Sequence, residues 1–186
     1  MVIELSVLVL SSKYDFSCDY VISKLLKAQV QYLRLNSEDL PFYRFSLDPL
    51  QRKLSCNIAE HSYLITEESL HSVWFRRGIY GSTISATIDD QIARVQWAAF
   101  IRSLLVFRNA KWINHPGHTY AAEQKALQLA VAHDLGFAIP ATRFTNDRDA
   151  VSDIAGAKVV LKGIDTVLAY ENRTEYFAFV QSFAKS

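Results

Sequence analysis

The chain has 186 residues, of which 50% are hydrophobic and 21% are charged, and 20 basic against 19 acidic residues give a net charge of +1. This composition is typical of a globular protein with one large or two small hydrophobic cores, and it argues against a disordered chain. With a net charge close to zero, the composition gives no sign of the positive surface that dominates non-specific binding to nucleic acids. We therefore expect no DNA or RNA partner.

The cysteines and the N-terminal segment bear on the compartment in which the chain works. Cys18 and Cys56 are far apart and show no CxxC or Cys/His spacing, so we interpret them as buried thiols rather than as metal ligands or a disulfide. Unpaired thiols fit a reducing cytosol. Residues 2–10 are apolar but are interrupted by Glu4, and they are too few for a secretory signal or a membrane span. We interpret this segment as the first β-strand of a cytoplasmic protein that has no membrane partner.

The first 76 residues show an order of patterns that is typical of an α/β fold. Residues 3–10 are rich in β-forming side chains, residues 18–27 carry apolar side chains at helical spacing, and residues 29–35 return to a strand pattern. This order predicts a β-α-β unit, whose connection places two parallel strands in one sheet. Further strands are predicted at residues 42–47, 54–58, 62–65 and 72–76.

A long helix is predicted from Thr87 to about Arg108, because the apolar spacing changes there to a helical one. One apolar stripe of this helix is expected to pack across the sheet, and it consists of Ile88, Ile92, Val95, Ala99 and Leu104. Three aromatic residues lie on a second side, and we assign them to the core as well: Trp97, Phe100 and Phe107.

The last third of the chain predicts a smaller, mixed region. After a Pro116-Gly117 turn, a second helix has Thr119 as its expected N-cap and Gly136 at its C-terminal end. Its buried face is expected to consist of Ala126, Leu127, Ala130, Val131 and Leu135. The patterns that follow predict a strand at residues 141–145, a short helix at 146–154, a strand at 158–162 and a hairpin of 166–170 with 175–183.

Four segments together carry a resemblance to a known family. They are residues 19–22 (DYVI), 33–36 (LRLN), 72–77 (SVWFRR) and 114–125, which begins with NHP. In order and approximate spacing they resemble the ATP-grasp peptide maturases, which are the microviridin-type or graspetide ligases. Residues 1–115 resemble the pre-ATP-grasp domain of that family, and residues 116–186 resemble the first, partial N-terminal lobe of its ATP-grasp domain. The resemblance implies an α/β fold: a Rossmann-like, mainly parallel sheet with flanking helices, followed by a truncated α+β ATP-grasp lobe.

The resemblance also implies a reaction, with ATP and magnesium as cofactors. Members of the family phosphorylate a side-chain carboxylate of a ribosomal precursor peptide, and a hydroxyl or amine of the same peptide then displaces the phosphate. The product is a macrolactone or a macrolactam. Because a carboxylate does not react with alcohols or amines in water, the protein must position phosphates and neutralise charge. The implied partner is therefore a precursor or leader peptide.

By resemblance, Lys125 and Lys162 occupy the two nucleotide-facing lysine positions of the ATP-grasp fold. An ammonium group on a flexible stem is a strong point charge for phosphate oxygens. A solvated lysine explains Lys125 equally well, since it shares a polar face with Glu123 and Gln124. Lys162 follows three apolar residues at the end of a strand, where packing needs no charge, and this favours a role in nucleotide binding.

The tandem arginines Arg76 and Arg77 are the candidate substrate-binding residues. Neighbouring residues of a strand face opposite sides, so at least one guanidinium should reach the covered face or the carboxyl end of the strand. Ligands of parallel sheets bind at that end. An arginine there can receive an acidic peptide or a phosphate through paired hydrogen bonds. The alternative is a salt bridge between domains.

Metal ligands are not expected in this chain. His115 and His118 flank a Pro-Gly turn without a cysteine or carboxylate at ligand spacing. In the family the magnesium ligands come later than Lys162, after which only residues 163–186 remain. We therefore expect the N-terminal portion of a ligase that is catalytically incomplete by itself and needs the missing lobe, which a partner chain could supply. The alternative is a non-catalytic pre-ATP-grasp module that binds a precursor or leader peptide.

Overall fold

In the computed structural model, the described residues are 2–76, 87–147, 149–151, 154, 156, 158–164, 168–171, 174–177 and 181–184. The chain divides into two compact units, Met1–Pro116 and Gly117–Ser186. The strands of the first unit are β1 (Val2–Glu4), β2 (Val7–Ser11), β3 (Tyr32–Asn36), β4 (Arg44–Asp48), β5 (Lys53–Ile58), β6 (His61–Thr66), β7 (Ser72–Phe75) and β8 (Lys111–Ile113). Its helices are α1 (Phe16–Lys27) and α2 (Ile88–Ser103), with 3₁₀ turns at Leu40–Phe42 and Leu104–Val106.

Four parallel strands form the first sheet of this unit, in the order β3-β2-β7-β8. Leu8 of β2 is in register with Leu33 of β3 and with Val73 of β7, and all three side chains are buried. The segment from β2 through α1 to β3 is the predicted β-α-β unit, which is confirmed. Strands β4 to β7 confirm the four further strands that the sequence predicts between residues 42 and 76, with shifted ends.

A second sheet has the order β1-β6-β5-β4, in which β1 runs parallel to β6 and the other pairs are antiparallel. Residues 3–10 are therefore not one strand, and that prediction is wrong. The run divides at Leu5 and Ser6 between the two sheets. The Leu5 amide donates to the carbonyl of Leu64 in β6, whereas the Ser6 carbonyl accepts from the amide of His71 next to β7. Hydrophobicity cannot reveal this division, because both sheets require apolar residues here.

The packing of α2 differs from the predicted stripe. Three residues of that stripe are exposed, and the prediction is wrong for them: Ile88, Ile92 and Val95. The helix packs through its second half, where Trp97 and Phe100 lie against Phe45 of β4. The ring centroid of Phe45 lies 5.7 Å from that of Trp97 and 5.1 Å from that of Phe100. Aromatic rings bury more surface than aliphatic side chains, and they anchor this helix.

Both cysteines are buried free thiols, as expected from the sequence. Cys18 lies on α1 and Cys56 lies on β5. Burial raises the pKa of the Cys56 thiol to about 12 and also raises the pKa of Cys18. Since the thiolate is the reactive form, these thiols are chemically inert in the folded chain.

The second unit contains two helices and four strands within the described residues. They are α3 (Pro116–Ala122), α4 (Lys125–Asp134), β9 (Lys158–Leu161), β10 (Leu168–Glu171), β11 (Thr174–Phe177) and β12 (Gln181–Ala184), with a 3₁₀ turn at Asp149–Val151. Strands β10 and β11 form a hairpin, as predicted, but the predicted second strand at residues 175–183 is divided between β11 and β12, and β12 pairs antiparallel with β9. Of the helices in the described ranges, none combines the length and the apolar character that a bilayer span requires.

Helices α3 and α4 occupy the region where the sequence predicts one helix. Thr119 lies inside α3 and is not an N-cap, because the helix already begins at Pro116, a residue well suited to a first turn. The predicted end at Gly136 is confirmed, since its φ is +84° and its amide donates to the carbonyl of His133. The predicted buried face of α4 is wrong for the described part of the chain, in which no residue of α4 is buried.

Residues 141–145 form no strand, so that prediction is wrong. Their threonine hydroxyls bond to nearby backbone instead. Thr142 Oγ1 donates to the Pro140 carbonyl at 2.9 Å, and Thr145 Oγ1 accepts from the Asp147 amide at 2.9 Å. Such local bonds offer the backbone an alternative to pairing in a sheet.

Replacement of Phe107 by alanine tests the core of the first unit. Phe107 is fully buried, so the change leaves a cavity, and we expect the free energy of unfolding to fall by about 3–5 kcal/mol. Urea unfolding followed by tryptophan fluorescence reports on this unit alone, because all three tryptophans lie in it. Phe16→Ala is the matched control: Phe16 is 81% exposed, and the change should matter by less than about 0.5 kcal/mol. Equal losses in the two variants would contradict the assignment of Phe107 to the core.

Candidate functional site

The carboxyl ends of three parallel strands meet at one edge of the first sheet. Ser11 at the end of β2 is in register with Asn36 at the end of β3, and Leu10 is in register with Phe75 at the end of β7. Strand β2 lies between β3 and β7, so the strand order reverses at this point. In open α/β sheets ligands bind at such a reversal, because the connections leave a crevice there. This region is termed the carboxyl edge, and it comprises residues 11–15, 36–39 and 76.

Asp15 and Arg76 form an ion pair at the carboxyl edge, with Arg76 Nε 3.2 Å from Asp15 Oδ2. The side chain of Asp15 is 3% exposed, whereas that of Arg76 is 35% exposed. Ser11 Oγ donates a hydrogen bond of 3.3 Å to the same Asp15 oxygen, and the Cys18 amide donates to the other oxygen. This salt bridge lies within the first unit, so it is not the contact between domains that the sequence leaves as the alternative. Arg77 lies outside the described residues.

Three further side-chain contacts join the loop after β2 to the loop after β3. Ser12 Oγ donates a 2.6 Å hydrogen bond to Glu38 Oε1, and the Lys13 amide donates to Oε2 at 3.2 Å. Lys13 Nζ pairs with Asp39. Burial alone would raise the pKa of Glu38, but the hydrogen bonds from Ser12 and from backbone amides outweigh it and lower the pKa. For Asp39 burial is likewise outweighed, chiefly by Lys13, and its pKa is lowered. Both carboxylates therefore hold the two loops together in their charged form.

Arg34 of β3 fixes the backbone of the loop that contains Asp15. One terminal nitrogen donates to the carbonyl of Ser12 at 2.6 Å, and the other binds the carboxylate of Asp19 on α1. Arg34 Nε is buried and has no hydrogen-bond partner among the described residues. Asp19 and Arg34 belong to the two short segments, DYVI and LRLN, that contribute to the family resemblance. Their contact gives a physical reason for the occurrence of both segments in one chain.

In the second unit, the structure brings Lys125 to the segment that carries Lys162. Lys125 is the first residue of α4, and its Nζ donates a hydrogen bond to the carbonyl of Ile164. Lys162 directly follows β9, is exposed, and precedes Ile164 by two residues. Two ammonium groups on one region are suitable donors for phosphate oxygens. Within the described ranges, no three His, Cys, Asp or Glu side chains come together as a possible metal site.

The sequence patterns do not identify Asp15, Ser12 or Glu38 as residues of the site. A signal exists for Asp15, because an aspartate between a buried strand and a helical pattern is a typical N-cap. At the end of β2, this N-cap also lies at the carboxyl edge. No comparable signal exists for Glu38, whose contact with Ser12 depends on the pairing of β2 with β3.

Comparison with known proteins identifies the family of the chain. Residues 6–116 match the family model of the MvdD pre-ATP grasp domain. The chain belongs to the MvdD pre-ATP-grasp domain family. The matched residues include the whole carboxyl edge. No curated protein sequence matches the chain.

Solved structures of similar fold include three peptide-modifying enzymes. The macrocyclase MdnB from Microcystis aeruginosa MRC is 25% identical with a TM-score of 0.67, over 98% of this chain and 62% of its own. The macrocyclase MdnC from the same organism, bound with the precursor peptide MdnA, is 22% identical with a TM-score of 0.78, over 96% and 61%. A Chryseobacterium gregarium RiPP-associated ATP-grasp ligase, in complex with ADP and a leader and core peptide, is 22% identical with a TM-score of 0.72, over 96% and 56%.

These matches confirm the family resemblance and the fold that the sequence implies. The first unit is a pre-ATP-grasp domain with a parallel sheet. The assignment of residues 116–186 to the first lobe of an ATP-grasp domain stays a prediction. The chain spans less than two thirds of the length of each of the three solved proteins. The roles of Lys125, Lys162, Arg76 and Arg77 stay predictions.

The contact of Glu38 with the loop after β2 predicts a pH dependence of stability. Because the pKa of Glu38 is lowered in the folded chain, its charge stabilises the fold at neutral pH, and this contribution is lost as the pH falls below the ordinary pKa of 4.5. We expect Glu38→Gln to reduce the free energy of unfolding at neutral pH by up to about 1 kcal/mol. The difference from wild type should disappear as the pH falls through the lowered pKa of Glu38 in the folded chain.

Urea unfolding monitored by tryptophan fluorescence at a series of pH values measures this difference. Glu60→Gln, which changes an exposed glutamate in the turn between β5 and β6, is the control and should have no effect on stability. A deficit of Glu38→Gln that is as large in acid as at neutral pH would count against the ionic contact.

Proposed function

We propose that this chain is the N-terminal portion of an ATP-dependent ligase that macrocyclises a ribosomal precursor peptide. The observation that carries the proposal is the match of residues 6–116 to the MvdD pre-ATP grasp domain. The solved neighbours support it, since MdnB and MdnC are macrocyclases and MdnC is bound with a precursor peptide. The bond formed would join a side-chain carboxylate to an alcohol or amine of the same peptide, as an ester or an amide. We expect the reaction to require the magnesium-binding lobe of the ATP-grasp fold in addition to this chain.

The chemical problem is activation of the carboxylate, whose oxygen is a poor leaving group. Transfer of a phosphoryl group from ATP to this oxygen converts it into a good leaving group. A solved neighbour in complex with ADP supports a nucleotide as cofactor. The task of the chain's own residues is to bind and orient. Cationic side chains would bind the phosphates and the peptide carboxylate and offset their negative charges.

Lys125 and Lys162 are the residues that we assign to the nucleotide phosphates. Lys162 is exposed directly after β9, where its charge serves no packing role. The contact between Lys125 Nζ and the Ile164 carbonyl holds a second ammonium group at the same segment. A compact ammonium charge is a common ligand of phosphate groups.

Calorimetric titration of the chain with ATP and magnesium tests this assignment. Lys125→Ala and Lys162→Ala should each weaken binding about tenfold or more, because each removes a charged contact worth roughly 1.5–3 kcal/mol. Lys158→Ala is the matched control, since Lys158 is an exposed lysine at the opposite end of β9. Absence of binding by the wild type at millimolar ATP would overturn the nucleotide assignment. It would favour the alternative of a non-catalytic module that binds a precursor or leader peptide.

Arg76, together with Arg77, is assigned to the carboxylates of the peptide. Arg76 lies at the carboxyl edge, and its side chain is partly exposed there. A guanidinium group matches a carboxylate with two parallel hydrogen bonds, which gives both affinity and a defined orientation. The neighbours in complex with precursor, leader or core peptides support a peptide as the partner.

Binding of an acidic peptide tests the assignment of Arg76. The probe is a dye-labelled peptide in which glutamate alternates with glycine, and fluorescence anisotropy measures its dissociation constant. We expect Arg76→Ala to weaken binding about tenfold, which corresponds to the loss of one charged, paired contact. Arg44→Ala removes an exposed arginine from β4, outside the carboxyl edge, and should leave binding unchanged. If a peptide with glutamine in place of glutamate binds equally well, recognition of carboxylates is refuted.

A further inference from the structure

Asp15 is a buried charge at the carboxyl edge, and its two carboxylate oxygens make different contacts. One carboxylate oxygen accepts the amide hydrogen of Cys18 and caps α1, while the other lies 3.2 Å from Arg76 Nε. Capping by itself requires no charge, because serine and asparagine cap helices about as well as aspartate does. A buried carboxylate is unfavourable unless a positive group lies next to it. Among the described residues, Arg76 is a positive group that offsets the charge of Asp15.

The geometry of the pair leaves the binding side of Arg76 available for a second anion. The contact with Asp15 engages Nε, while the two terminal nitrogens carry further N–H donors that can receive a carboxylate through two parallel hydrogen bonds. The Arg76 amide donates to the Leu10 carbonyl at 2.9 Å, which ties its backbone to β2. Ser11 Oγ donates to the same Asp15 oxygen and restricts the rotation of that carboxylate. Asp15 thus contacts the Nε side of the Arg76 guanidinium, while the Arg76 side chain stays partly exposed.

We propose that Asp15 is a positioning residue, which orients the guanidinium of Arg76 so that its terminal nitrogens receive a carboxylate of the peptide substrate. This inference rests on the proposed function of Arg76. A flexible arginine loses conformational freedom when it binds, and a side chain that is held in the binding orientation beforehand loses less. Asp15 does not touch the peptide.

Asp15→Asn is the informative variant, because asparagine retains the helix cap and removes only the charge. With the glutamate-glycine probe described above, we expect about fivefold to tenfold weaker binding than wild type. In the Arg76→Ala background the same change should have no further effect, since Asp15 acts through Arg76. The NMR signal of Arg76 Nε–Hε should move in Asp15→Asn even without peptide, because the guanidinium loses its charged contact. A merely structural role of Asp15 would instead weaken probe binding equally in the Arg76→Ala background. Asp15→Ser, which also retains the cap, replaces Asp15→Asn if that variant does not fold.

The outcomes separate this inference from the proposed function. If Arg76→Ala weakens binding and Asp15→Asn does not, the positioning role is overturned while the role of Arg76 stands. Tighter binding to Asp15→Asn would also overturn it, because Asp15 would then compete with the peptide for Arg76. An equal loss from Asp15→Asn with and without Arg76 would show that Asp15 does not act through this arginine. No binding of the acidic probe by wild type would overturn both proposals.

Discussion

The backbone of Leu5 and Ser6 holds the two sheets of the first unit together. The Leu5 amide donates to Leu64 in one sheet, while the Ser6 amide donates to Gln31 and the Ser6 carbonyl accepts from His71 beside the other sheet. Because buried peptide groups must be hydrogen-bonded, these bonds fix the registers of both sheets relative to one short segment. A shift of one residue would turn the buried side chains of β2 to the opposite face and displace the carboxyl edge.

Local patterns in the sequence predict the strands and helices of this fold better than they predict which elements pair or pack together. Alternation and helical spacing predict β2, α1 and β3, because these patterns depend on neighbouring side chains. They do not show that residues 3–10 serve two sheets, which depends on pairing with distant strands. In α2 the aliphatic stripe has regular spacing, yet Trp97 and Phe100 make the contacts with the core. Which face of a helix is buried depends on the surface opposite it, and the sequence of the helix does not contain that information.

The carboxyl edge shows the same limit within the candidate site. Arg76 can be identified from the sequence because it follows a strand and belongs to a segment shared with a family. Asp15 can be identified only as an N-cap, since its ion pair joins residues that are 61 positions apart in number, 15 and 76. The ion pair of Asp19 and Arg34 is likewise not evident from the sequence, because it forms only when α1 connects the paired strands β2 and β3. The family resemblance therefore identifies segments of the sequence, and the structure shows which of their side chains are in contact.

The two buried thiols can serve as natural probes of local opening in the first unit. Cys18 lies on the helix that connects β2 and β3, and Cys56 lies within the second sheet. Burial raises the pKa of the Cys56 thiol to about 12 and also raises the pKa of the Cys18 thiol, so both stay protonated at neutral pH. Alkylation then requires local opening, and its rate at each cysteine reports the free energy of that opening. The stability of α1 and of the second sheet can thus be followed separately in the unaltered chain.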